Sequence, residues 1–568
     1  MDQKIGKGIF MSIAWLAISM LVFLAIGCSS SSDTDNRPVR DTSEGKVRGE
    51  ILDTMHAYRG IPYAAPPEGD LRFRPPEPAI ERPGVLDADA YGSPCPQEGG
   101  VFGEDSVAED CLFLNVFTPK NDDNSPYPVM VWIHGGAFIT GSGGDPGYDA
   151  ARLVEEDVVV VTLNYRLGAL GFLAHEALTA EHEQLTGEQG ESGNYGLWDQ
   201  RMALAWIRDN IESFGGDPGN VTLFGESAGG HSVLSHLVSP ESEGLFHRAI
   251  IQSGSYNPGQ MPLEFSGFGG HSLVGAPFAA EIGCAGEDDV AACLRGKTVE
   301  QILEAQDGWF LPMTGTSFLP RSIQEALSSG DFHDVPVLIG SNRHEGRLFV
   351  ALDIFDEKLY VTEDSYRQAV RELLSEDIRQ LDADQIATDY LADEDPDDPN
   401  RFRRAFAAIQ TDWRFNCNDL AHWQKLYNNG SENVYAYWFT DENAPNDLDL
   451  PVHMILVGAG QLEEGDDPFR MKATHTLEIQ YVFGTVEDRG GSPDQVALSG
   501  KMVEFWTRFA RDGNPSPDTG QWAFFDPNTA HGGFVMNLTV PDVAEANANT
   551  YSGVHSCDYW ADPPISEP

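Results

Sequence analysis

The run Gly225-Glu226-Ser227-Ala228-Gly229-Gly230 stands between the apolar stretch Val221–Phe224 and the helix-prone segment that begins at His231, and it constrains the fold of this chain more than any other feature. It reads as strand, abrupt turn, helix. In a G-x-S-x-G pattern the turn is so sharp that side chains flanking the serine clash, so glycines are required there. The hydroxyl is held out, and the N-terminus of the following helix is aimed at the same point. The pentapeptide alone also occurs as a tight structural turn, and its context gives it weight. That context is a buried sheet: Val129–Ile133, Val158–Leu163, Ala249–Gln252 and Val335–Ile339 are further short apolar, β-branched runs separated by helical patterns. Continuous apolar runs suit strands covered on both faces, and the helices between them supply the crossovers that parallel neighbours need. The pattern Asp199–Phe214 brings Met202, Ala205, Trp206 and Ile211 near one helix face, with Gly215-Gly216-Asp217-Pro218 as stop and turn. The fold class is α/β. With 568 residues, 41% of them hydrophobic, the chain can fill one large core, and no internal repeat divides it.

A second glycine-rich turn, His134-Gly135-Gly136-Ala137-Phe138, directly follows the run Val129–Ile133. Consecutive glycines let the N–H groups of Gly135 and Gly136 point at an incoming oxyanion, and the N–H of Ala228 completes a three-donor hole. Taken alone, a strand-ending Gly-Gly is equally a plain turn. A serine hydroxyl is a weak nucleophile at neutral pH and needs a general base, which in turn needs an acid to fix its tautomer. In this setting the chain order is Ser, acid, His. Gly340-Ser341-Asn342-Arg343-His344-Glu345-Gly346 puts Glu345 on a loop past a strand end, and Ala473-Thr474-His475-Thr476-Leu477 puts His475 just before an apolar segment. Among 15 His and 89 acidic residues, spacing alone does not single these two out.

Lys4 and Lys7 precede an apolar run from Ile9 to Gly27 that suits a signal-peptide core or a marginal membrane anchor. The flank Leu24-Ala25-Ile26-Gly27-Cys28, followed at once by four serines, resembles a bacterial lipoprotein lipobox with Cys28 as the residue to be lipidated. A cleaved secretory signal and an uncleaved anchor are the alternatives. The expected layout is a leader over residues 1–27, a flexible polar tether over 28–45 and one folded domain over 46–568, exported and attached to a bacterial cell-envelope membrane through Cys28. Six further cysteines are an even number in an export context. Cys95 with Cys111 and Cys284 with Cys293 bracket short loops and make plausible local staples, leaving Cys417 with Cys557 to close a long one; free buried thiols are the alternative. The balance of 36 Lys+Arg against 89 Asp+Glu gives a formal net charge of −53, which repels phosphate backbones and excludes nucleic-acid binding. Such acidity also fits solubility in a salty habitat, where screening relieves self-repulsion.

Glu109-Asp110-Cys111-Leu112-Phe113-Leu114-Asn115-Val116 and the stretch from Phe214-Gly215-Gly216-Asp217-Pro218 through Gly230 resemble the two long signatures of the type-B carboxylesterase/lipase family, which includes cholinesterases and bacterial aryl- and nitrobenzyl-type esterases. The resemblance runs from Val47 to Trp522. It implies an α/β-hydrolase fold with a mostly parallel central sheet and helical insertions over the active-site mouth, chiefly between Ser227 and Glu345 and between Glu345 and His475. Ser227 is thereby implied as nucleophile, Glu345 as triad acid, His475 as base, and Gly135, Gly136 and Ala228 as oxyanion donors. Glu226 either tunes the field at the imidazolium or makes a local hydrogen bond. The pairs Cys95–Cys111 and Cys284–Cys293 match positions bridged in the family, and Cys417–Cys557 resembles a third bridge of cholinesterase-like members. The implied activity is hydrolysis of small to medium, fairly apolar carboxylic esters through an acyl-enzyme, with no metal or organic cofactor. The rivals are a hydrolase of another acyl bond, such as a carbamate or amide, and a non-catalytic adhesion or scaffold member of the fold. Cholinesterases hold a quaternary ammonium on a tryptophan in the first disulfide loop. Between Cys95 and Cys111 this chain has no aromatic except Phe102, so choline esters are not the expected preference.

Overall fold

Seven consecutive buried residues in Tyr127–Ile133 and five in Val159–Leu163 leave no solvent face, so these segments can only be interior strands. The computed structural model describes residues 36–100, 103–121, 126–256, 260–263, 271–306, 310–356, 358–375, 381–431, 433–446, 452–458 and 468–560. The leader and Cys28 lie outside the described residues. Pro38–Pro568 forms one compact unit.

The described strands are β1 (Val39–Thr42), β2 (Gly45–Arg48), β3 (Glu50–Ile51), β4 (Met55–Pro62), β5 (Val85–Asp87), β6 (Phe113–Pro119), β7 (Tyr127–Ile133), β8 (Val159–Leu163), β9 (Gly216–Glu226), β10 (Arg248–Gln252), β11 (Val337–Asn342), β12 (Val434–Phe439), β13 (Phe534–Leu538) and β14 (Ala544–Asn547). Eleven of them make one sheet, in the order β14-β13-β12-β11-β10-β9-β7-β8-β6-β4-β3. From β13 to β8 every neighbouring pair is parallel. Antiparallel strands finish both edges, with β14 on one side and β6, β4 and β3 on the other. Alternate residues feed two cores. Val129, Val131, Ile133, Leu223 and Ile251 pack to one side, while Met130, Trp132, Phe224 and Ile250 meet Met502, Trp506 and Phe509 of the helix Pro493–Asp512 on the other. Each such fully buried aliphatic side chain contributes about 1.5–3 kcal/mol relative to exposure.

The insertions follow the expected division. Helices Ala276–Glu281, Val290–Arg295, Val299–Ala305 and Ile323–Ser329 fall between Ser227 and Glu345. Between Glu345 and His475 lie Gly346–Phe355, Glu363–Leu374, Ala383–Ala392, Arg401–Thr411 and Cys417–Asn428, with their own satellite core around Val350, Tyr366 and Phe406. All six described cysteines are paired, Cys95–Cys111, Cys284–Cys293 and Cys417–Cys557, so the free-thiol alternative falls away.

Three expectations need correction. The tether does not extend to residue 45: β1 and β2 form a hairpin in which Val39 faces Arg48, Val47 is buried, and Ser43 N–H donates to Asn210 Oδ1 at 2.7 Å. The hairpin carries so few apolar residues that its alternation is invisible in the sequence. The helix expected from Asp199 starts at Tyr195, behind Asn194 in a left-handed conformation with φ 55°, and it ends at Asn210 in a short 3₁₀ turn, Ile211–Phe214. Asp217-Pro218 belongs to β9, where the register slips between the pairs Tyr127–Gly216 and Val129–Val221, so the expected turn is a bulge inside a strand.

Candidate active site

Ser227 sits at the end of β9, near the middle of the sheet, with φ 53° and ψ −122°, a conformation that costs a non-glycine residue of order 1–3 kcal/mol. The helix Ala228–Val238 begins at the next residue. The turn leaves no room for side chains. A Cβ on Gly229 would lie 1.9 Å from Ile133 O, and one on Gly225 would lie 2.6 Å from the carbonyl carbon of Gly229. A Cβ on Gly230 would stand 2.7 Å from Gln252 O, the same carbonyl that accepts the Ser227 N–H at 2.9 Å. The three glycines let β9, β7, β10 and the helix converge behind the serine.

Glu345 and His475, far apart in the chain, meet in the buried layer. Glu345 Oε2 accepts from His475 Nδ1 at 2.6 Å, while Oε1 accepts from the Asn342 N–H and from Ser253 Oγ, each also at 2.6 Å. Asn342 ends β11 and Ser253 follows β10, so two neighbouring strand ends hold the carboxylate. With Nδ1–H donating, the imidazole presents Nε2 on its other side, buried and without a hydrogen-bond partner among the described residues. Nε2 lies 3.3 Å from Glu226 Oε1, an atom that likewise accepts no hydrogen bond, so this contact is electrostatic. The Glu226 carboxyl thus stands beside the imidazole, and it also accepts a backbone hydrogen bond from Thr476.

A third buried carboxyl backs the histidine. Glu478 accepts from Asn342 Nδ2 at 2.6 Å and from Gln252 Nε2 at 3.2 Å, and Gln252 Oε1 accepts from Trp506 Nε1 at 2.9 Å. Burial, helped by Glu345, pushes the Glu478 carboxyl up to about 7. Burial also raises Glu226 well above the carboxylate range, against the pull of His475. Burial lowers the His475 imidazolium, but Glu226, Glu345 and Glu478 outweigh it and carry the group up to about 9. Glu226 and His475 therefore compete for a proton across 3.3 Å.

The other glycine turn abuts the serine. A Cβ on Gly135 would lie 2.8 Å from Glu226 Oε2 and 3.1 Å from Ser227 Cβ, and Gly136 has φ 96° with its Cβ position 2.2 Å from Thr140 O. Gly135 thus lies against Ser227, with Gly136 next to it in the chain and Ala228 next to the serine. Two rings flank the histidine: Phe415 with its centroid at 4.9 Å and Phe349 at 5.2 Å, stacked on each other at 5.6 Å. Tyr256 extends this wall from Phe415 to His231. Ser253, Glu478, Phe349, Phe415 and Tyr256 escaped the sequence reading. Only Glu478, three residues beyond His475, carried a signal, since an acid so near a candidate base in sequence can stand near it in space. Among the described residues no group of His, Cys, Asp or Glu is arranged to hold a metal ion.

A mostly parallel sheet packed with helices, a serine turn after a central strand, and an acid and a histidine on loops beyond later strands define an α/β hydrolase. Residues 36–560 match the Carboxylesterase family. The chain is 34% identical over 528 residues to the cocaine esterase of Oryctolagus cuniculus, covering 86% of this chain and 90% of that protein. It is 34% identical over 530 residues to the acylcarnitine hydrolase of Mus musculus, covering 88% and 87%. Among solved structures it is similar to a PNB esterase, with TM-score 0.72 and 29% identity over 91% of this chain and 99% of that one. A thermophilic PNB esterase gives TM-score 0.72 and 30% identity over 92% of this chain and 100% of the other. The chain belongs to the carboxylesterase family, and the protein is a carboxylesterase.

Proposed function

We propose that the protein cleaves small to medium, fairly apolar carboxylic esters with Ser227, Glu345 and His475 as its catalytic triad. The observation that carries this reading is the 2.6 Å bond from His475 Nδ1 to a Glu345 carboxylate whose other oxygen is already committed. That bond fixes the tautomer, so the lone pair of Nε2 is available to a proton from Ser227 Oγ. The deprotonated Oγ attacks the ester carbonyl carbon. The carbonyl oxygen becomes an oxyanion held by the N–H groups of Gly135, Gly136 and Ala228, each typically worth about 2.7–4 kcal/mol in such a hole. His475 then protonates the departing alkoxide, and the acyl-enzyme is hydrolysed by water that gives its proton to the same nitrogen. Glu226 stabilises the imidazolium through its 3.3 Å contact. The aromatic wall of Phe349, Phe415 and Tyr256 favours apolar substrate groups. The relatives' names cover different esters, which supports the bond class rather than one substrate.

The same reading includes export and attachment to a cell-envelope membrane through lipidated Cys28. Its support is the lipobox-like flank and the pairing of the six described cysteines, since disulfides persist in oxidising compartments.

The test is turnover of p-nitrophenyl esters from acetate to palmitate, with and without an organophosphate. The expected outcome is rapid hydrolysis of the shorter chains, abolished as one phosphoryl group attaches to Ser227 in the mass spectrum. Wild-type-like hydrolysis by Ser227→Ala would overturn the assignment, because losing a triad nucleophile costs several orders of magnitude.

A further inference from the structure

Outside the catalytic cluster the chain buries a second acid–histidine pair. Asp412 Oδ1 accepts from His555 Nδ1 at 2.7 Å, and its Oδ2 accepts from the Tyr390 hydroxyl at 2.7 Å, which itself accepts from Trp560 Nε1 at 2.8 Å. His555 Nε2 accepts from Asn416 Nδ2 at 2.9 Å. Asn416 also donates through Nδ2 to Asn342 O, so its amide orientation is set and His555 carries its proton on Nδ1. The ring of His555 packs on Trp438 and Tyr551, and the Cys417–Cys557 bridge ties the same two segments together.

These contacts converge on one irregular stretch. Between the helices Arg401–Thr411 and Cys417–Asn428, residues Asp412–Asn416 form a π-helical turn, a widening that is rarely stable unless something holds it and that recurs at functional sites. Asp412 begins that turn and Asn416 ends it, and both are held by His555. Between them stands Phe415, whose ring lies 4.9 Å from that of His475. Asn342, which accepts from Asn416, also gives its N–H to Glu345.

We infer that His555 is a positioning residue for this site: by bonding Asp412 and Asn416 it pins the π-turn that seats Phe415 against His475, so the C-terminal segment sets the substrate-facing wall and hence the size selectivity of the esterase. This rests on the proposed role of His475. His555 acts only through the turn, and its loss changes which ester fits rather than whether esters are cleaved.

The experiment measures kcat/KM ratios across an acyl series of p-nitrophenyl esters and an alcohol series of acetates, for the wild type, Phe415→Leu and His555→Phe. A ratio of two substrates on one preparation is unaffected by the fraction of folded enzyme, so a merely structural loss does not move it. Phe415→Leu is expected to change the preference along one series by about tenfold or more, within the range that a methylene-sized change in a pocket commands. His555→Phe is expected to move the same series in the same direction. Unchanged ratios in His555→Phe beside shifted ratios in Phe415→Leu would overturn the inference, as would unchanged ratios in both. If His555→Phe yields no folded protein, Tyr390→Phe carries the test, since it removes the other hydrogen bond to Asp412. Failure of the wild type to cleave any ester would count instead against the proposed function.

Discussion

Glu345→Gln separates the chemistry from the architecture, because the carboxylate makes three bonds of which an amide can keep two. Oε1 accepts from Asn342 N–H and Ser253 Oγ, and Oε2 accepts from His475 Nδ1. A glutamine has one oxygen and one NH₂, and the surroundings decide which goes where. If the NH₂ faced Asn342, a buried backbone N–H would lose its acceptor, at a cost of about 1–3 kcal/mol. The oxygen therefore stays with Asn342 and Ser253, and the NH₂ meets His475. Two donors cannot face each other, so the imidazole must move its proton to Nε2, where it can no longer take one from Ser227. The wrong tautomer in a triad with otherwise intact geometry costs about 10⁴ in kcat. At about 1.36 kcal/mol per tenfold this is about 5.4 kcal/mol of lost transition-state stabilisation. The assay is kcat for p-nitrophenyl acetate beside a thermal melt. The expected result is a fall of about four decades with a melting temperature close to wild type. A variant that melts normally and keeps kcat within about tenfold of wild type would refute the reasoning.

Glu226→Gln removes the first of the charges that raise His475. An active base must be neutral, so the acid limb of kcat/KM lies above the ordinary imidazole range in the wild type and moves toward lower pH in the variant, by about 1–3 pH units for a charge at this distance. A pH–rate profile checks this, and an unmoved limb would contradict it. Gly229→Ala is expected to prevent folding or to destabilise by several kcal/mol, since its Cβ would stand 1.9 Å from a backbone oxygen of β7 that cannot step aside. Denaturant titration reads this directly, and a midpoint within error of wild type would show that the turn has more room than described.

What the sequence disclosed and what it hid divide along physical lines. The serine turn was legible because its backbone tolerates almost no other residues, and the interior strands were legible because burial on both faces demands unbroken apolar runs. Glu345 and His475 were identifiable only through the family resemblance: 130 residues separate them, and the sheet register that joins them leaves no local trace. Whether Glu226 acts on the imidazolium could not be read from adjacency to Ser227, because that depends on which way its carboxyl turns. Phe349 and Phe415 look like any core aromatic until they are found against an imidazole. The β1–β2 hairpin resembled a tether because its stability comes from pairing and from Asn210, not from its own composition.

The order of the sheet has a consequence for how such a protein diversifies. Ser227, Ser253 and Asn342 stand at the ends of β9, β10 and β11, which are side by side, whereas the helices Ala276–Glu281 through Ile323–Ser329 loop out between two of those ends and return. Residues inserted or lost in that excursion lie outside the three strand ends that carry Ser227, Ser253 and Asn342. Natural selection can therefore vary this excursion while leaving those strand ends alone, and a laboratory that exchanges it between relatives works with the same separation.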